Sequence, residues 1–111
     1  MNQFLIIVKG SDHSVASPEE MQNRMNKFGE WVQNTLDGRY VGGAPLEETN
    51  ARLLKSKSEI LTDGPFMEPK EMISGYFIIK AEEINEAVEL TKKCPLLGQF
   101  QLELRQMKPM N

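Results

Sequence analysis

Two short runs decide what this chain can fold into. Phe4-Leu5-Ile6-Ile7-Val8 and Tyr76-Phe77-Ile78-Ile79 are apolar without alternation and rich in β-branched or aromatic residues. Side chains of a strand point to opposite faces in turn, so a run with no polar member belongs to a strand buried on both faces. At 111 residues the chain has room for one domain, spanning 1–111, and for one core of modest size. A sheet with two apolar faces therefore has to find its second cover economically.

The rest of the chain supplies the frame. Residues 3–9 read as the first strand. Ser17-Pro18-Glu19-Glu20 reads as a helix start, with Ser17 as cap, Pro18 at the first helical position and Glu20 where a capping box needs it. Met21, Met25, Phe28, Val32 and Leu36 recur at three and four, which predicts one apolar helical face ending at a left-handed Gly38. A short strand over 39–46 carries Gly42-Gly43, which suggest a bulge or a close backbone approach. Residues 50–55 and 58–62 read as a hairpin around Ser56-Lys57, and Asp63-Gly64-Pro65 as a turn. A strand over 72–80, a helix over 82–93 stopped by Pro95, and an alternating strand over 99–107 complete the chain.

This order predicts an α+β fold, the ferredoxin-like split βαβ plan with an inserted hairpin. In that plan the two apolar runs are the central strands, and both helices cover the same face. The other face is left for a second copy of the chain, which predicts a homodimer through the sheet.

Composition narrows the function. With 13 Lys and Arg against 16 Asp and Glu, the net charge is -3, so no basic surface is expected for nucleic acid or for an anionic membrane. One cysteine makes no internal disulfide, and the N-terminal run is too short for a secretory signal. A cytoplasmic location is the expectation. One histidine and one cysteine without ligand spacing predict no metal site, and neither a dinucleotide fingerprint nor a P-loop occurs, so no cofactor is expected.

The chemistry-bearing candidates sit in loops. Asp63 could serve as a general base in a desolvating pocket, or accept a backbone N–H as the first residue of its turn. His13, beside Ser11 and Asp12, could move a proton near neutral pH or be a solvated loop residue. Glu68, Lys70 and Glu71 could hold a charged ligand or pair among themselves, a surface arrangement contributing only about 0–1 kcal/mol. Cys94, at a helix C-terminus, reads as a small buried hydrophobe; Met21, Met25 and Phe28 read as core. Trp31 and Tyr40 read as packing residues that could also stack on a ligand.

Residues 63–76, Asp-Gly-Pro-Phe-Met-Glu-Pro-Lys-Glu-Met-Ile-Ser-Gly-Tyr, resemble the signature of the DGPF domain within the YCII-related family. The resemblance extends to the Phe4-Leu5-Ile6-Ile7 strand, to Ser17-Pro18-Glu19-Glu20-Met21, to Gly42-Gly43 and to Cys94-Pro95. It implies a dimeric α+β-barrel with two sheets face to face, and no established activity. Tyr76, which closes the motif, joins Lys70, Glu68 and Glu71 as a candidate ligand contact. The YCII branch has been given a catalytic histidine–aspartate pair, from which this chain departs because its first helix carries no histidine. Some relatives are associated with bacterial sigma factors. The reading is thus a small cofactor-independent enzyme acting on an organic molecule near the Asp63 turn. The alternative is a non-catalytic ligand-binding or sigma-factor-associated regulatory dimer.

Overall fold

The computed structural model describes residues 1–10, 17–62 and 72–110. Strand β1 is Asn2–Lys9, β2 Tyr40–Pro45, β3 Leu53–Leu54, β4 Ile60–Leu61, β5 Ile73–Ala81 and β6 Gln101–Gln106; helix α1 is Pro18–Glu30 and α2 Ile84–Thr91. The main sheet runs β2-β5-β1-β6 with every neighbour antiparallel. This is an α+β arrangement compatible with the ferredoxin-like plan, with the two apolar runs at its centre. His13, Asp63, Glu68, Lys70 and Glu71 lie outside the described residues, as does the Asp63-Gly64-Pro65 turn.

The core lies on one side of the sheet. Phe4, Ile6 and Val8 of β1 meet Ile79, Phe77 and Gly75 of β5 in register, and all six are buried. Burying an aliphatic or aromatic side chain of this size contributes about 1.5–3 kcal/mol. The alternate residues have a different environment. Leu5, Ile7 and Ile78 are only half-buried and Tyr76 is exposed, so a single chain does not bury both faces of its central strands. The last strand alternates as expected: Leu102 and Leu104 pack on the core, while Glu103 and Arg105 occupy the opposite face. There Glu103 accepts from Arg105 and from Lys9, at 2.6 and 3.2 Å. The Arg105 guanidinium first, and Lys9 with it, hold this carboxyl below the usual range.

Helix α1 begins where Ser17 directs it. The Ser17 hydroxyl accepts from the Glu20 N–H at 3.1 Å, with Pro18 at the first position. Its expected apolar face is corrected by the structure. Met21 and Met25 are 55% and 68% exposed, and no residue of α1 is fully buried. The inward residues are Arg24 and Phe28, leading to buried Trp31. Trp31 sets this rotation: its ring packs on Phe28 and Phe77, and its indole N–H donates to the Leu90 carbonyl at 3.1 Å. From Trp31 to Leu36 the helix widens to π geometry, closed by the Asp37 N–H to the Val32 carbonyl at 3.1 Å. A π turn brings residues five apart onto one side, which is why Trp31 and Leu36 are both buried. The left-handed cap falls at Asp37 (φ 44°), one residue before the expected Gly38, which itself follows at φ 88°.

Helix α2 is capped by the Glu83 carboxylate, which accepts from the N–H groups of Asn85 and Glu86, both at 2.8 Å. It buries Ala87 and Thr91, whereas Ile84 stays 42% exposed. The β3–β4 hairpin is shorter than expected, and Leu53, Leu54, Ile60 and Leu61 are all exposed on it. The Cα radius of gyration is 15.7 Å, against about 13 Å for a compact chain of this length.

Candidate functional site

A cleft of about 420 Å³ opens between α1 and the helix-covered face of the sheet. Arg24, Met25 and Phe28 form the helix wall. Val8 and Phe77 form the floor, Tyr40 and Ala44 one side, and Leu96 and Phe100 the other. Gly43 and Gly75 line it with backbone alone. The aromatic rings stand edge to face: Phe28 to Phe77 at 5.6 Å and 78°, Phe28 to Tyr40 at 6.3 Å and 83°. Such contacts hold the walls in place beyond what burial supplies.

Close backbone approach explains the glycine pair. The strand β2 shifts register between Tyr40 and Gly42, and Gly43 then lies flat against the Tyr76–Phe77 backbone with no room for a side chain. The pair is a bulge and a close approach together, as its position in the sequence suggests.

The rim nearest β5 is a clasp. The Gly10 N–H donates to the Met72 carbonyl at 2.7 Å, and the Ser74 hydroxyl donates to the Gly10 carbonyl. Ser74 lines the cleft, and Gly10 lies against the Phe100 ring, with a β-carbon built on it 3.5 Å from Phe100 Cδ1. The chain thus leaves β1 and enters β5 at one point on the cleft's edge.

Among the sequence candidates, Tyr76 alternates on β5 with the core-facing Gly75 and Phe77, so its ring falls on the open sheet face with Ile7 while its backbone borders the cleft. Trp31 and Tyr40 pack as expected, and Tyr40 also faces the cleft. Cys94 is buried, and desolvation pushes its thiol up to about 11. Arg24 escaped the sequence reading. The signal was present: a stripe drawn back from Trp31 through Phe28 at helical spacing ends at Arg24, and the methionines drew it one position aside. Among the described lining residues Arg24 is the charged one, and none of them is a carboxylate, a histidine or a cysteine. Among the described residues no group of three or more His, Cys, Asp or Glu is placed to hold a metal, and no helix is long and apolar enough to cross a membrane.

Among the described residues, fold and cleft define an α+β protein with an apolar, ligand-sized hollow between helix and sheet. Residues 3–111 match the YCII-related domain, and the chain belongs to that family. A solved structure similar to it is the 5-chloro-2-hydroxyhydroquinone dehydrochlorinase of Burkholderia phenoliruptrix AC1100 in complex with 2,5-dihydroxybenzoquinone. Identity is 19%, coverage 96% of this chain and 93% of that one, and the TM-score 0.48, a likeness from which no chemistry follows. No curated protein matches the sequence.

Proposed function

We propose that this protein is a cytoplasmic homodimer that holds a small organic molecule in the α1–sheet cleft and acts on it without a cofactor. Asp63 and His13 are the proposed acid–base groups, and Lys70, Glu68, Glu71 and Tyr76 the proposed ligand contacts. The observation that carries this reading is the Gly10–Met72 clasp. His13 is three residues from Gly10, and Lys70 two residues from Met72. The short reach of a chain, about 3.6 Å per residue, supports assigning both to the cleft. The apolar walls bind and desolvate; a proton-transferring group has to come from a flanking segment, because the described walls contain no carboxylate or imidazole. That same absence favours a second reading, a binding protein without chemistry.

The dimer rests on area. A four-stranded sheet with strands of six to nine residues presents a face of about 450 Å² in projection, which approaches the scale on which stable partners bury about 800 Å² of accessible surface each. Leu5, Ile7 and Ile78 form its centre. The exposed β3–β4 hairpin points the same way, since a lone hairpin is marginal in water and Leu54 here is 65% exposed.

The test is a thermal-shift panel of small organic acids, phenols and lactones on the full chain, followed by turnover assays on those that bind. At least one class should raise the midpoint. Asp63→Asn should then abolish turnover while leaving binding and the unliganded midpoint nearly unchanged. Binding without turnover in both proteins would establish the non-catalytic reading. A panel with no shift would overturn the cleft as a ligand site.

A further inference from the structure

The β3–β4 hairpin carries four large aliphatic side chains that its own chain leaves exposed. Leu53 pairs with Leu61 and Leu54 with Ile60. Directly paired residues of an antiparallel ribbon share a face, and successive pairs alternate. The ribbon is therefore apolar on both faces, and the Leu54–Ile60 face is the more open, at 65% and 49% exposure. Among the described residues these two strands pair with each other and not with the main sheet. The turn, by contrast, is polar and closes on itself. The Ser56 hydroxyl accepts from the Ser58 and Glu59 N–H groups, and Lys55 meets Glu59 at 3.7 Å. The hairpin's shape is thus set locally while its apolar stem stands in water, a marginal state for two strands alone.

The open sheet face has a matching shortage. Its apolar centre, Leu5, Ile7 and Ile78, is half-buried. At about 450 Å² in projection it falls short of the roughly 800 Å² that stable partners bury each. In a two-fold dimer every contact is made twice, so an arm reaching from each protomer to the other adds two apolar faces at once. We propose that the β3–β4 hairpin is a dimerisation arm, its Leu54–Ile60 face packed on the open sheet face of a second copy of the chain, along β1 and β5. This rests on the homodimer of the proposed function and adds to it the segment that crosses between protomers.

Two measurements on the full chain test it. In the first, the photo-cross-linking residue p-benzoylphenylalanine replaces Leu54, and this chain is equilibrated with isotopically heavy native chain. Mass spectrometry should find links from light to heavy chains, on peptides of β1 or β5. In the second, sedimentation equilibrium compares the native protein with the double variant Leu54→Ser, Ile60→Ser. The dimer dissociation constant should rise at least tenfold with the circular dichroism spectrum unchanged; should the double variant fail to fold, the cross-links decide alone. Links confined to one chain, links that fall on the partner's helices, or a folded double variant that dimerises as tightly as the native protein would each overturn the arm. A native dimer in that result leaves the sheet interface standing. A native protein that sediments as a monomer throughout overturns the arm and the dimer together.

Discussion

Gly43 lies so close to Phe77 that a β-carbon built on the glycine would stand 2.5 Å from the Phe77 Cβ, and closer still to the Tyr76 carbonyl oxygen. Those atoms belong to a central strand and cannot step aside. Gly43→Ala should therefore destabilise the protein by about 1–3 kcal/mol, toward the upper end. Gly42 has nothing within 4 Å of the same construction, so Gly42→Ala should change stability by no more than about 0.5 kcal/mol. Chemical denaturation of both variants checks the pair, and equal effects would refute the close approach.

Removing the α1 cap should be measurable although the helix buries little. Ser17→Ala loses the acceptor for the Glu20 N–H and should cost about 1 kcal/mol. Ser17→Asp should restore most of it. A loss of helical circular dichroism confined to the alanine variant would locate the effect at this terminus.

The Cys94 thiol, pushed up to about 11 by burial, predicts both inertness and a pH dependence. The unfolded thiol ionises near about 8.5, so between that pH and about 11 the unfolded chain loses its proton first. Stability is intact below about 8.5 and falls as pH rises through this window, by at most about 1.4 kcal/mol per pH unit. Other groups titrate there too, so the readout is the difference in slope between the native protein and Cys94→Ala. Native Cys94 should also react with a thiol reagent at pH 8 only as fast as the protein opens; rapid labelling of the folded protein would contradict its burial.

Ile7→Glu places a charge at the centre of the open sheet face without entering the helix-side core. Light scattering should give twice the chain mass for the native protein at micromolar concentration, and a monomer or an aggregate for the variant. A monodisperse native monomer would rule out the dimer.

The fold was legible because its strongest signals are backbone-level. The two apolar runs, the Ser17-Pro18 start, and the alternation of Leu102 and Leu104 with Glu103 and Arg105 each fix an element and its facing. The face of α1 was not legible in the same way. Met25 and Arg24 are neighbours on the helix, and hydrophobicity favours the methionine; the anchor that decides, Trp31 on the Leu90 carbonyl and Phe77, is a contact distant in sequence. The π turn was hidden for a related reason. Val32 and Leu36 satisfy a four-residue spacing, so nothing local marks the wider turn that buries Trp31 with Leu36 instead. As for the site, the candidates His13, Asp63, Glu68, Lys70 and Glu71 lie outside the described residues, while the hollow lies between α1 and the sheet, an arrangement that no single residue encodes.

The clasp of Gly10, Met72 and Ser74 separates what must stay constant from what is free to vary. Strands β1 and β5 are pinned to each other where they meet the cleft, so changes to the chain just after Gly10 or just before Met72 should leave their register undisturbed. Chimaeras that exchange with relatives only residues 11–16, or only residues 63–71, should therefore fold as their host does.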